Sequence, residues 1–291
     1  MKLAVGAVQM GLTYGIANRT GKLSGDEVVR VLELARRRGI DTIDTAAAYG
    51  ESEEVLGRAG VEGFRVVTKV PPIRADSDPA RHVRDSLEQS LQRLGTASVD
   101  ALLLHRGLDL AEAHGPALYA TLRAEREAGR VRRIGISVYG PEELGRIPDG
   151  MHLDVVQAPM SVLDRRMERS GWLDRLAARG TAFHARSLFL QGLLLMEPAR
   201  RPPRFGAWRP TLEGWDRHVA DSGLGAAGAC LAPVVNDPRV ERAVIGVDSP
   251  AQLEECVDAL ERSLVAGRPA FDPGSGPLPE GLIDPRCWSC P

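Results

Sequence analysis

Short, nearly all-apolar runs alternate with longer stretches of helical periodicity from one end of the chain to the other, and this alternation narrows the possible folds more than any other feature. The runs predict strands over 3–9, 40–44, 65–70, 98–104, 133–138, 153–158, 181–187 and 242–247. Amphipathic helices are expected near 25–38, 51–58, 79–94, 117–128, 141–146, 170–179, 211–235 (broken at Gly223-Leu224-Gly225) and 250–265. Boundary residues agree. Ser24 and Glu27 have capping-box spacing, and Gly39 stands where a C-terminal glycine cap belongs. Asp78-Pro79 offers an N-cap and a first-turn proline, after which Val83, Leu87 and Leu91 mark one helical face. Ser249-Pro250 repeats the device ahead of Leu253, Val257 and Leu260. Strands built almost continuously of Val, Ile and Leu are buried on both faces, which requires a parallel sheet covered by helices.

Eight such βα units within 291 residues predict a (β/α)8 TIM barrel, a single α/β domain over 1–291 whose last part, 266–291, is an irregular extension rich in proline. The competing architecture is a doubly wound open sheet. It would place Gly-x-Gly-x-x-Gly after the first strand, and Gly11-Leu12-Thr13-Tyr14-Gly15 has neither that spacing nor an immediate helix. A net charge of −2 gives no electrostatic case for nucleic acid or an anionic membrane, and no apolar run reaches the length of a membrane span. The first ten residues read as a barrel strand and not as a secretory leader. Cys230 and Cys256 fall on expected helices, as suits reduced thiols in a cytoplasmic protein, while Cys287 and Cys290 form a C-terminal CxxC with no second pair or nearby histidine to complete a metal site.

Three strands end on chemistry. Asp44 closes 40–44, with Tyr49 in the loop behind it; Lys69 closes Val66-Val67-Thr68-Lys69; His105 follows Leu102-Leu103-Leu104. In a parallel barrel these ends converge on one mouth, where barrel enzymes place their reacting groups. A lysine among valines is costly to bury alone and tolerable beside Asp44. An ammonium next to a phenol favours the phenolate, so Tyr49 can give its proton to a carbonyl oxygen while His105 orients that carbonyl.

The stretches Asp44-Thr45-Ala46-Ala47-Ala48-Tyr49-Gly50, Ser52-Glu53 with Leu56-Gly57, Thr68-Lys69 and Asp100 to His105 resemble the aldo-keto reductase superfamily in order and spacing. The resemblance runs from about Gly6 to Leu260. It implies a monomeric barrel that uses NADPH, or NADH as well, to reduce an aldehyde or ketone, with Tyr49 as general acid, Lys69 and Asp44 as its tuning pair and His105 as the carbonyl-orienting group. It further implies that Ser137 and Gln157 hold the nicotinamide carboxamide, and that Arg186 and Ser187 stand where the family places an aromatic residue against the nicotinamide ring. The Asn expected after Ser137 is Val138 here. Gly246, Asp248, Ser249, Gln252 and Glu255 fall in the loop that would carry the adenosine phosphates, with no basic residue among them. Two other readings are a barrel that binds nicotinamide nucleotide without catalysis and a lyase or isomerase that uses Lys69 as a Schiff-base amine. The substrate is expected to be polar, sugar-like or a keto acid, because Arg106, Arg186, Arg200, Arg201, Arg204 and Arg209 crowd the mouth and aromatic residues are only 4% of the chain; the equal alternative is that these arginines clasp the cofactor pyrophosphate and carry no information on the substrate. Tyr14, Phe205 and Trp208 are expected to form one wall.

Overall fold

The computed structural model describes residues 1–266, 271–272 and 278–289. Eight parallel strands close into a barrel in sequence order: β1 (Leu3–Gly6), β2 (Thr42–Asp44), β3 (Arg65–Val70), β4 (Val99–Leu104), β5 (Val131–Ser137), β6 (Val155–Pro159), β7 (Ala182–Arg186) and β8 (Val240–Gly246). Helices Gly25–Arg37, Ser52–Ala59, Pro79–Leu94, Gly115–Glu127, Trp172–Ala178, Gly225–Val235 and Pro250–Ala266 lie between and after the strands. The caps form as the sequence requires. Ser24 and Glu27 bond reciprocally, Asp78 accepts from Arg81 N at 2.6 Å, and Gly95 ends its helix in the left-handed conformation.

Side chains alternate across each strand, so every second residue of β3 points into the barrel. Val67 does so and packs with Ala101, Leu103 and Val155 in a small interior cluster separate from the main core between sheet and helices. Lys69 shares that parity and is therefore carried inside, level with Leu103 on β4. Register aligns the strand ends: Gly6 pairs with Asp44 and with Gly246, and Ser137 pairs with Gln157.

Several expected boundaries shift. The strand read over 3–9 stops at Gly6, because Val8–Gly11 coils into a helical turn. Gly11 in that turn lies so close to the next loop that a Cβ would fall 1.8 Å from Tyr49 O, and only glycine fits. The helix read over 141–146 is only Pro141–Leu144, and the one over 211–235 divides into Arg209–Ser222 and Gly225–Val235, as the glycines suggested. The tail expected to be irregular contains helical turns at Glu280–Ile283 and Pro285–Ser289, and it buries Leu282, Ile283 and Trp288. Trp288 stands edge-on to Phe205 at 5.0 Å, and Arg204 donates to Trp288 O at 3.1 Å. Cys230 and Cys256 are buried, and burial pushes the Cys256 thiol up to about 12, which leaves it unreactive. Cys287 is exposed, whereas Cys290 lies outside the described residues. Among the described residues no helix is long and apolar enough to cross a membrane, and no group of three metal-ligating side chains gathers.

Candidate active site

The C-terminal ends of the strands open into a cavity of about 540 Å³, within the range of small-molecule sites. Asp44, Tyr49 and His105 line it together with Tyr14 and Tyr139, so three of the chain's four tyrosines face this space. Lys69 lies beneath, with its Nζ fully shielded. It donates to Asp44 Oδ2 at 2.7 Å and to Thr45 O at 2.8 Å. Nζ also sits 5.1 Å from the centre of the Tyr49 ring, and the Tyr49 and His105 rings meet edge to face at 5.6 Å. The sequence-predicted quartet thus comes together, Lys69 as floor and the others as wall.

Burial by itself would push the Lys69 ammonium down. The Asp44 charge, Tyr49 and the hydrogen bond that Lys69 donates to Asp44 outweigh it and hold the amine above its ordinary value. His105 moves the other way: burial, then the charges of Lys69 and Arg186, lower it to about 4. Its imidazole is neutral at neutral pH.

The Tyr49 loop is laced to the barrel. Thr45 N donates to Val67 O at 2.8 Å, and Ser52 Oγ donates to Ala7 O at 2.8 Å while touching Thr45 Oγ1 at 3.0 Å. On the outward side of β3, buried Glu53 accepts from Thr68 Oγ1 at 2.5 Å and from Arg93 at 2.7 Å. These contacts fix the residues on either side of Asp44 and Lys69.

The expected cofactor residues divide. Arg186, Ser187, Gly246, Asp248 and Gln252 line the cavity. Gln157 is fully buried, outside the cavity lining, and donates to Asp44 Oδ1 at 2.7 Å, while its own Oε1 has no partner among the described residues. Ser137 is buried opposite it on β5. Ser249 bonds Gln252 N at 3.2 Å as the N-cap of Pro250–Ala266, and Glu255 is exposed on that helix, outside the cavity wall. Asp248 accepts from Asn18 at 3.0 Å, and its carboxyl is raised by burial against the bonds from Asn18, Gln252 and Gln9.

Gln9, Asn18 and Tyr139 are cavity residues that the sequence reading did not single out. Gln9 carries the same signal as Asp44 and Lys69, a polar residue closing an apolar run, but the overlong first strand concealed it. Its Oε1 is a second buried acceptor without a partner. The loop after β7 is held in left-handed backbone at Ser187, Leu190 and Gln191, conformations costly for residues other than glycine.

The expected arginine cluster disperses. Arg106 turns to Asp109 at 3.0 Å, Arg201 is clamped by Asp216, and Arg204 serves Trp288; among these arginines only Arg186 and Arg200 face the cavity. Phe205 is buried in the core and Trp208 packs on it at 6.1 Å, so of the expected aromatic wall Tyr14 alone lines the space.

A family model described as Aldo/keto reductase family matches residues 2–267. The D-threo-aldose 1-dehydrogenase of a Pseudomonas species is 28% identical over 309 aligned positions, covering 91% of this chain and 93% of that protein. The L-glyceraldehyde 3-phosphate reductase of Escherichia coli O157:H7 is 26% identical, with 86% and 83% coverage. Among solved structures, the holo form of an aldo-keto reductase from Bacillus halodurans superposes with a TM-score of 0.69 over 93% of each chain at 20% identity.

Proposed function

Because the chain belongs to the aldo/keto reductase family, whose members are oxidoreductases that reduce carbonyls, we propose that its cavity takes a nicotinamide dinucleotide and a polar aldehyde or ketone, with Tyr49 as the acid that completes the alcohol. The observation that carries this reading is the buried Lys69–Asp44 pair held 5.1 Å beneath the Tyr49 ring, with His105 edge-on to the same ring. When bound, the reduced cofactor supplies the hydride. The proton must come from the protein. A neutral imidazole is a weak acid source but a good hydrogen-bond donor, so His105 orients the carbonyl and Tyr49 releases the proton to its oxygen. Lys69 stays charged beneath the ring that gives up the proton.

The residues present fit a nicotinamide. The amide oxygen of cavity-lining Gln9 is a buried acceptor with no partner among the described residues and suits the carboxamide N–H of a nicotinamide, while Gln157, whose Oε1 is in the same condition, lies beside Ser137 just outside the cavity lining. Arg186 and Ser187 stand on the strand-7 side of the same cavity, and Gly246, Asp248 and Gln252, with Ser249 as the cap of the following helix, supply the loop and helix start for the adenosine end, whereas Glu255 lies outside the cavity wall. The loop and helix start over 246–255 carry no basic residue, so NADPH is accepted with only a modest advantage over NADH. The names of two relatives, an aldose dehydrogenase and a glyceraldehyde phosphate reductase, agree with a small polar substrate.

A Schiff-base role for Lys69 fits poorly, because its amine is charged, fully enclosed and spent on two acceptors. A barrel that only binds nucleotide has no use for that buried pair. The test is a panel of hydroxylated and plain aldehydes, ketones and keto acids, with NADPH and NADH absorbance followed in parallel. Oxidation of either cofactor that depends on the carbonyl compound supports the reading. Tight cofactor binding with no turnover across the panel would favour the non-catalytic alternative.

A further inference from the structure

Half-buried guanidinium groups in this protein are paired with carboxylates. Arg133 holds Asp100 and Glu241, Arg166 holds Asp164, Arg201 holds Asp216 and Arg239 holds Asp237. Arg186 is the exception. It is half-buried in the cavity wall, and among the described residues its hydrogen-bond partners are neutral, with no carboxylate within ion-pair distance.

Arg186 is nonetheless firmly placed. Nη2 donates to Val138 O at 3.1 Å, Nη1 reaches Ser187 Oγ at 3.3 Å, and the guanidinium carbon stands 4.6 Å from the centre of the Tyr139 ring. Arg286 of the C-terminal segment also stacks on that ring, at 3.6 Å, so the aromatic platform is itself braced. Asp284 claims Arg286 at 2.5 Å, which removes that second cation from competition. The hydrogen bonds to Arg186 use neutral acceptors and leave donors of its five-N–H fork unspent. The buried Glu143 carboxyl feels the Arg186 charge but forms no ion pair with it, so the guanidinium, partly out of water, keeps an unmet demand that an arriving anion would satisfy. Its charge also reaches His105, which shares the cavity.

We infer that Arg186 is the substrate-anion anchor of this site, so that the carbonyl compound reduced here carries an oxyanion, a carboxylate or a phosphate ester, which the guanidinium binds while the carbonyl lies at Tyr49 and His105. The inference rests on the reductase reading and extends it to a substrate class. A planar fork matches a carboxylate with two parallel hydrogen bonds and also suits phosphate. The cofactor's own phosphates are the competing source of the charge.

The test compares matched pairs: 4-carboxybenzaldehyde with benzaldehyde, and glyceraldehyde 3-phosphate with glyceraldehyde. Wild type should favour the anionic member in kcat/KM by roughly ten- to a hundredfold, the worth of a charge-assisted contact, chiefly through KM. In Arg186→Met that ratio should fall to near one, and Arg186→Lys should restore part of it. Whichever pair responds identifies carboxylate or phosphate as the anion. Fluorescence titrations of the enzyme–cofactor complex with benzoate and benzamide give a second readout that needs no turnover. Benzoate should bind wild type better than benzamide does, and Arg186→Met should lose the difference. Should no aldehyde be reduced, the reductase reading fails, and the benzoate titration still decides the anion site. A wild-type enzyme indifferent to substrate charge, or an Arg186→Met variant that keeps its charge preference while losing dinucleotide affinity, overturns the inference and gives the guanidinium to the cofactor.

Discussion

Lys69 and Asp44 are a pair whose members stabilise the fold only together. Their mutual attraction and the bonds to Thr45 and Gln157 offset the cost of enclosing two charges. Asp44→Asn is therefore expected to lower stability by about 3–5 kcal/mol in urea denaturation, because it strands a buried ammonium. Adding Lys69→Met to that variant should recover part of the loss while leaving catalysis impaired. A double variant less stable than Asp44→Asn alone would show that the pair is not the unit described. His105 makes a second prediction. With its imidazole lowered to about 4, the folded protein stays unprotonated at that ring while an unfolded histidine takes a proton near its ordinary 6.5. The associated stability is thus fully present above about pH 6.5 and is lost as pH falls toward about 4. Nuclear magnetic resonance of the ring protons should show a transition near 4. A midpoint near 6.5 would mean that neither burial nor the charges of Lys69 and Arg186 govern it. Asp44, Lys69 and His105 were readable because each ends an apolar run, and Tyr49 because it follows Asp44 in the next loop. Tyr139 was not, since a tyrosine between a strand and Gly140 leaves no such mark in the sequence.

The strands and long helices were legible for a simple reason: each buries enough surface to impose a period on its sequence. The pieces that escaped, Gly107–Ala111, Leu193–Leu195 and Pro203–Trp208, are 3-10 segments too short to show one. The missed turn Val8–Gly11 matters most, because it holds Gln9 at the cavity and presses Gly11 against the Tyr49 loop. A methyl group at Gly11 would collide with Tyr49 O at 1.8 Å and Ser52 N at 2.6 Å, both backbone atoms that cannot swing aside. Gly11→Ala should therefore displace the Tyr49 loop and lower kcat by roughly a hundredfold, as small misplacements of reacting groups do. Circular dichroism should show the barrel retained. A Gly11→Ala enzyme with wild-type kcat would mean that the Tyr49 loop is not positioned by this contact.

At the scale of the whole molecule, the two ends of the barrel have different tasks. The end opposite the cavity is tied by ionic contacts. Glu241 on β8 meets buried His184 on β7 at 3.1 Å and Arg133 on β5 at 2.8 Å, and Arg133 also holds Asp100 on β4. The bond from His184, and then Arg133 against the effect of burial, lowers the Glu241 carboxyl from 4.5 to about 2. Its folded value being depressed, this contribution is present above about pH 4.5 and is lost as pH falls toward 2. For a carboxylate one-third exposed it amounts to about 1–2 kcal/mol after solvent screening. Glu241→Gln should flatten the acid limb of the stability curve and leave stability at high pH lowered by that amount. An unchanged limb would show that Glu241 does not govern the acid stability of the fold. The cavity end carries the buried Lys69–Asp44 pair, and the reduction proposed there depends on one proton. The most direct measurement is the turnover of Tyr49→Phe on a carbonyl compound that the wild type reduces, with dinucleotide affinity measured by fluorescence on the same preparation. Loss of the phenolic hydroxyl should lower kcat by roughly a hundred- to ten-thousandfold while the dinucleotide still binds through residues on β5 to β8. A Tyr49→Phe enzyme that turns over at close to the wild-type rate would contradict the assignment of this cavity as a site of tyrosine-assisted carbonyl reduction.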